Sequence, residues 1–160
     1  MKNQKYKLLK TLLKYNISKI KIRIADLSGA NLSGANLSKA DLSGADLSDI
    51  KISEYTFGIT INCPEEGSFI AWKKCYENII VKLFIPEDAK RSSATTYKCR
   101  ASKAIVLDIE GAEIAYSAYN HYFTYEKGKI IEIDDFDENR WNECSTGIHF
   151  FMNKQLAINY

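Results

Sequence analysis

From Ala25 to Asp49 the chain reads ADLSGANLSGANLSKADLSGADLSD, with a leucine at every fifth place and an alanine two places before each. A period of five suits neither regular element. On an α-helix each step of five would carry the leucines roughly 140° further round the cylinder, leaving no apolar face. In one long strand an odd step would turn successive leucines to opposite sides. The pattern is satisfied by a short extended piece, Ala-x-Leu, whose two apolar side chains share one side, followed by a corner at Ser-Gly or Ser-Lys. Stacked corners predict a solenoid. Leu27, Leu32, Leu37, Leu42 and Leu47 face inward beside Ala25, Ala30, Ala35, Ala40 and Ala45, and Asp26, Asn31, Asn36, Asp41 and Asp46 face outward. In weaker form the period runs from Tyr15 to Ile59 and puts Ile17, Ile22, Ile52 and Phe57 in the leucine position.

Before the repeats, Leu8, Leu9, Leu12 and Leu13 recur at helical spacing between lysines and predict an amphipathic capping helix. After Phe57 the period ends. INCPEEGSF reads as a turn, and SFIAWKK and IIVKLFI as the two arms of a hairpin. Pro86 suits the first position of a short helix. KAIVLDI, EIAYSAY, HYFTYE, KIIEIDDF and TGIHFFM read as further strands separated by turn signals, and Asn153 caps a short terminal helix.

The A(D/N)LS(G/K) units resemble the pentapeptide-repeat family. That resemblance implies a right-handed quadrilateral β-helix, here little more than two coils. CPEEGSFIAWKK, IPEDAKRSSAT, KCRASKA and STGIHFF resemble a domain of unknown function fused to such repeats in bacteria, phages and large viruses. This second resemblance implies the pairing of the two parts and no activity. The expected fold class is mixed: an N-terminal capping helix over 1–14, the β-helix over 15–59, and a small antiparallel α+β domain over 60–160.

Composition adds limits. At 160 residues, 46% hydrophobic and 26% charged, the chain reads as an ordinary globular protein. No apolar run is long enough to span a bilayer, and the lysine-rich N-terminus lacks the apolar centre of a secretory signal, so a cytoplasmic protein without membrane partners is expected. Cys63, Cys75, Cys99 and Cys144 form no C-x-x-C pair and are read as reduced thiols. Two histidines 28 positions apart offer no ligand spacing, so no metal and no cofactor is expected. Some pentapeptide-repeat proteins imitate duplex DNA, which needs a long acidic rod. Residues 15–59 carry five bases and five acids, so mimicry is rejected and nucleic acid is not an expected partner.

Charge is unevenly placed. Residues 90–103 hold Lys90, Arg91, Lys98, Arg100 and Lys103 with no acid, whereas 132–143 hold six acids against Arg140. Arg91 and Arg100, with the hydroxyls of Ser92, Ser93 and Thr95, form a candidate site for a phosphate or carboxylate, with His149 at its floor as a ligand contact or general base. The competing reading is a polar loop paired with the 132–143 acids and a core histidine. Tyr116, Tyr119, Tyr122 and Tyr125 recur every three residues, which in strands gives no single platform for stacked bases.

Two functions follow. One is a non-catalytic interaction module, in which the solenoid is a rigid spacer or self-association platform and the C-terminal domain binds a protein partner or an anionic small molecule; a homo-oligomer is expected. The other is a small enzyme or nucleotide-binding domain using the Arg/Ser/His pocket.

Overall fold

In the repeats, composition dictates corners of one kind. The computed structural model describes residues 25–59 and 61–160. Across each Leu-Ser-x-Ala step the alanine N–H donates to the leucine carbonyl: Ala30 to Leu27, Ala35 to Leu32, Ala40 to Leu37 and Ala45 to Leu42, all at 2.9–3.0 Å. The third turn residue is left-handed at Gly29, Gly34, Lys39, Gly44 and Asp49, the conformation that makes glycine the favoured residue there. The polar residue before each leucine fixes the entry: Asn31, Asn36, Asp41 and Asp46 accept from the serine N–H two places on, at 2.9–3.1 Å.

Successive layers meet 20 or 21 residues apart, at the parallel bridges Asp26↔Asp46, Asn31↔Lys51 and Asn36↔Phe57. Leu27, Leu32, Leu37 and Leu42 are buried with Ala30, Ala35, Ala40 and Ile59. Gly58 (φ +79°) passes so close to the layer beside it that a Cβ would lie 2.3 Å from Ser38 N. This compact unit also includes two stretches from far along the chain, Ala94–Thr96 and Trp141–Glu143. Thr95 Oγ1 donates to the Ala40 carbonyl at 2.5 Å, and its own carbonyl accepts from Lys39 N at 3.0 Å. Trp141 packs on the leucines.

The expected quadrilateral β-helix is corrected here. Among the described residues of 25–59 no strand forms; turns alternate with isolated bridges. A corner every five residues leaves one residue per repeat free to bridge, too few for a strand ladder. Ile52 and Phe57, expected inward, are exposed. The capping helix over 1–14 and the repeats at Ile17 and Ile22 fall outside the described residues.

The second unit comprises Ile61–Ser93, Tyr97–Arg140 and Cys144–Tyr160. Its strands are β1 (Phe69–Lys74), β2 (Ile80–Ile85), β3 (Arg91–Ser93), β4 (Lys98–Ala101), β5 (Lys103–Ile109), β6 (Ile114–Tyr116), β7 (Thr124–Glu126), β8 (Ile130–Glu132) and β9 (Ile148–Phe151). Seven of them form one antiparallel sheet in the order β3-β4-β9-β1-β2-β5-β8, and β6 pairs with β7 alone. Alternation sends Ala71, Val81, Leu83, Ile85, Cys99, Ala101, Val106, Ile148 and Phe150 into the core.

The single α-helix among the described residues, α1 (Lys154–Ile158), is capped by Asn153, whose side chain accepts from Gln155 N and Leu156 N. Through Ala157 and Leu156 it covers Trp72, Ile80 and Phe151. The α+β expectation is therefore corrected to a domain that is nearly all antiparallel sheet. Pro86 opens a turn rather than a helix, with Ala89 N donating to the Pro86 carbonyl at 3.1 Å.

Candidate functional site

Register decides which candidate residues meet. Ser92 lies opposite Arg100 in the β3–β4 pair, and Arg100 lies opposite His149 in the β4–β9 pair. Directly opposed residues share a face, so these three form one transverse row on the side away from the core. Arg91, one residue along, turns to the other face. Ser93 turns with it: its hydroxyl accepts from Asn62 N at 2.8 Å and its carbonyl from Arg140 Nε at 2.9 Å. Thr95 belongs to the first unit and does not join the row.

Both guanidinium groups are held by backbone carbonyls. Arg91 Nε donates to Ala89 at 3.1 Å, Nη1 to Gly67 at 2.7 Å and Pro64 at 3.3 Å, and Nη2 to Pro86 at 2.9 Å and Glu87 at 2.8 Å. A guanidinium has five N–H donors, so this one is saturated; it also rests on the Phe69 ring, 5.2 Å from the centroid. Its work is to tie the 64–67 and 86–89 turns together.

Arg100 is 2% exposed. It donates from Nη1 to the Thr146 carbonyl at 2.6 Å and from Nη2 to the Asn139 carbonyl at 3.1 Å, and stacks on Phe136. The segment covering it approaches closely, so that a Cβ added at Gly147 (φ +142°) would crowd Phe136 at 3.1 Å and Arg100 Cβ at 3.2 Å. Ser92 Oγ, at the end of the row, is buried and makes no hydrogen bond.

His149 is partly buried. Its Nε2 lies 2.9 Å from the Ser145 carbonyl. A carbonyl only accepts, so Nε2 carries the proton and Nδ1 holds the lone pair. Burial pushes the imidazole down to about 4, and the nearby cations Lys73, Lys98 and Arg100 act in the same sense, against the Ser145 hydrogen bond. The unfolded chain takes up this proton near pH 6.5 and the folded protein only near 4. The contribution is thus complete above pH 6.5 and is lost as pH falls toward 4, up to about 3 kcal/mol. In melting curves taken between those limits, His149→Gln should remove that part of the pH dependence. Parallel pH profiles for the variant and the native protein would show that His149 is not buried neutral.

A hollow of about 320 Å³ lies nearby, lined by Glu65, Ala89, Lys90, Arg91, Phe136 and Glu138. Two cations face two acids in it, and Lys90 pairs with Glu138. Two further acids of 132–143 reach the 90–103 stretch: Glu132 pairs with Lys103 at 2.8 Å, and Glu143 accepts from the Thr96 hydroxyl. Of the six candidate residues only Arg91 reaches this hollow.

Two lysines outside the six candidate residues are also drawn in, one half-buried and one, already counted in the basic stretch, buried. Lys73 Nζ donates to the His149 carbonyl at 3.3 Å beneath the Tyr125 ring, and burial lowers its pKa. Lys98 is 5% exposed and donates to Cys144 Sγ at 3.0 Å. The signal for Lys73 was present: in FIAWKK it falls in phase with the buried Ala71 and Cys75.

Among the described residues no group of His, Cys, Asp or Glu could hold a metal ion. No helix there is long and apolar enough to cross a membrane. A model described as "Pentapeptide repeats (8 copies)" matches residues 25–53. No curated protein and no solved structure matches the chain. The model described as "Family of unknown function (DUF5758)" matches residues 59–157, more than half of the chain, which therefore belongs to that family and carries pentapeptide repeats ahead of its characteristic domain.

Proposed function

We propose that this protein is a non-catalytic interaction module that binds a protein partner through the aromatic loop between β6 and β7. The observation that carries the reading is the display of Tyr119 and Tyr122, which are 100% and 98% exposed. They sit on an ordered loop. Ser117 Oγ accepts from Tyr119 N at 3.3 Å and Asn120 N at 3.4 Å, Asn120 Oδ1 accepts from Tyr122 N at 3.0 Å, and Ser117 N donates to the Phe123 carbonyl at 2.9 Å. Tyr76 packs against His121 beside them in a tilted arrangement, with ring centroids 4.5 Å apart. Tyrosines held out on a fixed loop lose little freedom on binding and combine apolar area with a hydroxyl, which is why such residues carry interfaces.

The enzymatic alternative has less support. Arg91 and Arg100 are bonded to carbonyls, His149 is held neutral against Ser145, and the three do not share the hollow. An anionic ligand would have to displace Glu138 from Lys90.

The test is a Tyr119→Ser/Tyr122→Ser double variant. We expect it to melt within about 1 °C of the native protein, because exposed positions contribute little to stability. Partner retained on the immobilised protein should fall at least about tenfold, as loss of aromatic anchors does. Sedimentation of both proteins separates a second copy of the chain from a different partner. Equal retention and equal sedimentation of the two would overturn the reading.

A further inference from the structure

Two of the thiols, Cys63 and Cys99, face one another inside the second unit. Ser93 is opposite Cys99 in register, so their side chains share the core face of β3 and β4. Asn62 N donates to Ser93 Oγ at 2.8 Å on that face, which lays the 62–63 segment across β3 toward β4. Both residues are buried in one cluster, Cys99 is the side chain that acts most strongly on the Cys63 thiol, and the Cys99 thiol itself reaches the Tyr97 carbonyl at 3.8 Å. Cys63 lies in irregular chain between Asn62 and Pro64, while Cys99 is fixed between β3 and β9. Cys99 thus provides a seat fixed by a strand on either side.

We propose that Cys63 and Cys99 form a reversible disulfide when the protein meets a peroxide. The Cys63 sulfur attacks a peroxide oxygen and the O–O bond breaks. For hydrogen peroxide, the thiol proton leaves with the departing hydroxide as water, and Cys63 becomes a sulfenic acid. The Cys99 sulfur then attacks the sulfenic sulfur. The S–O bond breaks, and a second water carries off the Cys99 proton. The two thiols lose two electrons and the peroxide gains them.

The surroundings favour the first step. The Cys99 side chain, with the positive charges of Arg91 and Arg140, holds Cys63 below the ordinary thiol range in spite of its burial, and the thiolate is the attacking form. The other two cysteines are placed differently. Cys75 is pushed up to about 11 by burial, and Cys144 is exposed beside Lys98. The linkage would tie the chain just after the repeats to β4, the second strand from one edge of the sheet.

The experiment uses the full chain carrying Cys144→Ser, which removes the exposed thiol and leaves three. The protein is treated with hydrogen peroxide, excess oxidant is removed, and thiols are titrated in denaturant. We expect a fall from three thiols to one, a linked peptide pair containing Cys63 and Cys99 by mass spectrometry, and full recovery with dithiothreitol. Adding Cys99→Ala should abolish the linked pair. Three thiols surviving treatment, or a linkage through Cys75, overturns the proposal. The mass map is read on Cys144→Ser itself, so a poorly folding Cys99→Ala variant leaves the result decided.

Discussion

Leu37→Asp should unfold the repeat unit, with a loss of about 4–5 kcal/mol. Leu37 is fully buried among Leu27, Leu32, Leu42 and Ile59. A carboxylate there loses the contacts of the leucine and gains no partner among these apolar neighbours. It either remains charged in an apolar interior or takes up a proton, and both cost folding energy. Two controls fix the cause. Leu37→Met keeps the volume and should cost under about 1.5 kcal/mol. Ser38→Asp puts the same charge on the exposed neighbour and should change stability by about 0.5 kcal/mol or less. The three variants are compared by urea unfolding. Equal stability of the Leu37→Asp and Ser38→Asp proteins would refute the inward placement.

Arg100→Met should cost about 3 kcal/mol, the larger of the two arginine effects. The Thr146 and Asn139 carbonyls lose their donor, and Phe136 loses the plane on which it stacks. Lysine should not rescue the site, because a single ammonium cannot reproduce the planar fork between two carbonyls. Arg91→Ala should cost less, about 1–2 kcal/mol, because part of the guanidinium's bonding is solvent-exposed and water can replace it. Thermal unfolding in the presence and absence of inorganic phosphate gives the contrast with a ligand site. A structural arginine lowers the melting temperature equally in both. If phosphate raised the melting temperature of the native protein and failed to raise that of either variant, the arginines would belong to an anion site.

These effects bear on what could be read from the residues alone. The corner chemistry of the repeats was legible because each unit carries its own instruction: a polar residue to accept the serine N–H, and a glycine, or Lys39 or Asp49 in its place, to adopt positive φ. The hairpin of β1 and β2 was legible from two apolar runs around a polar tripeptide. KRSSATTYKCR was assigned no strand, although it holds β3 and most of β4. Its strands are covered on both faces, by the core and by Phe136 with the Asn139 and Thr146 carbonyls, so polar residues are buried there and alternation is erased. Arginine side chains satisfied by distant carbonyls leave no local trace. The tyrosine series was ambiguous for another reason: Tyr125 is a buried strand residue, whereas Tyr119 and Tyr122 stand on the connecting loop.

The make-up of the first unit sets an order of events during synthesis. Its repeats leave the ribosome before the stretches that complete them, with the Ala40 carbonyl and Lys39 N–H awaiting Thr95, and the leucines awaiting Trp141. At about 5–20 residues per second, Trp141–Glu143 follow residue 59 only after something on the order of ten seconds. Throughout that interval the nascent repeats expose apolar surface and unpaired backbone groups. The protein's most repetitive segment is therefore completed only by stretches made well after it, and that interval is when a chaperone has the most to protect.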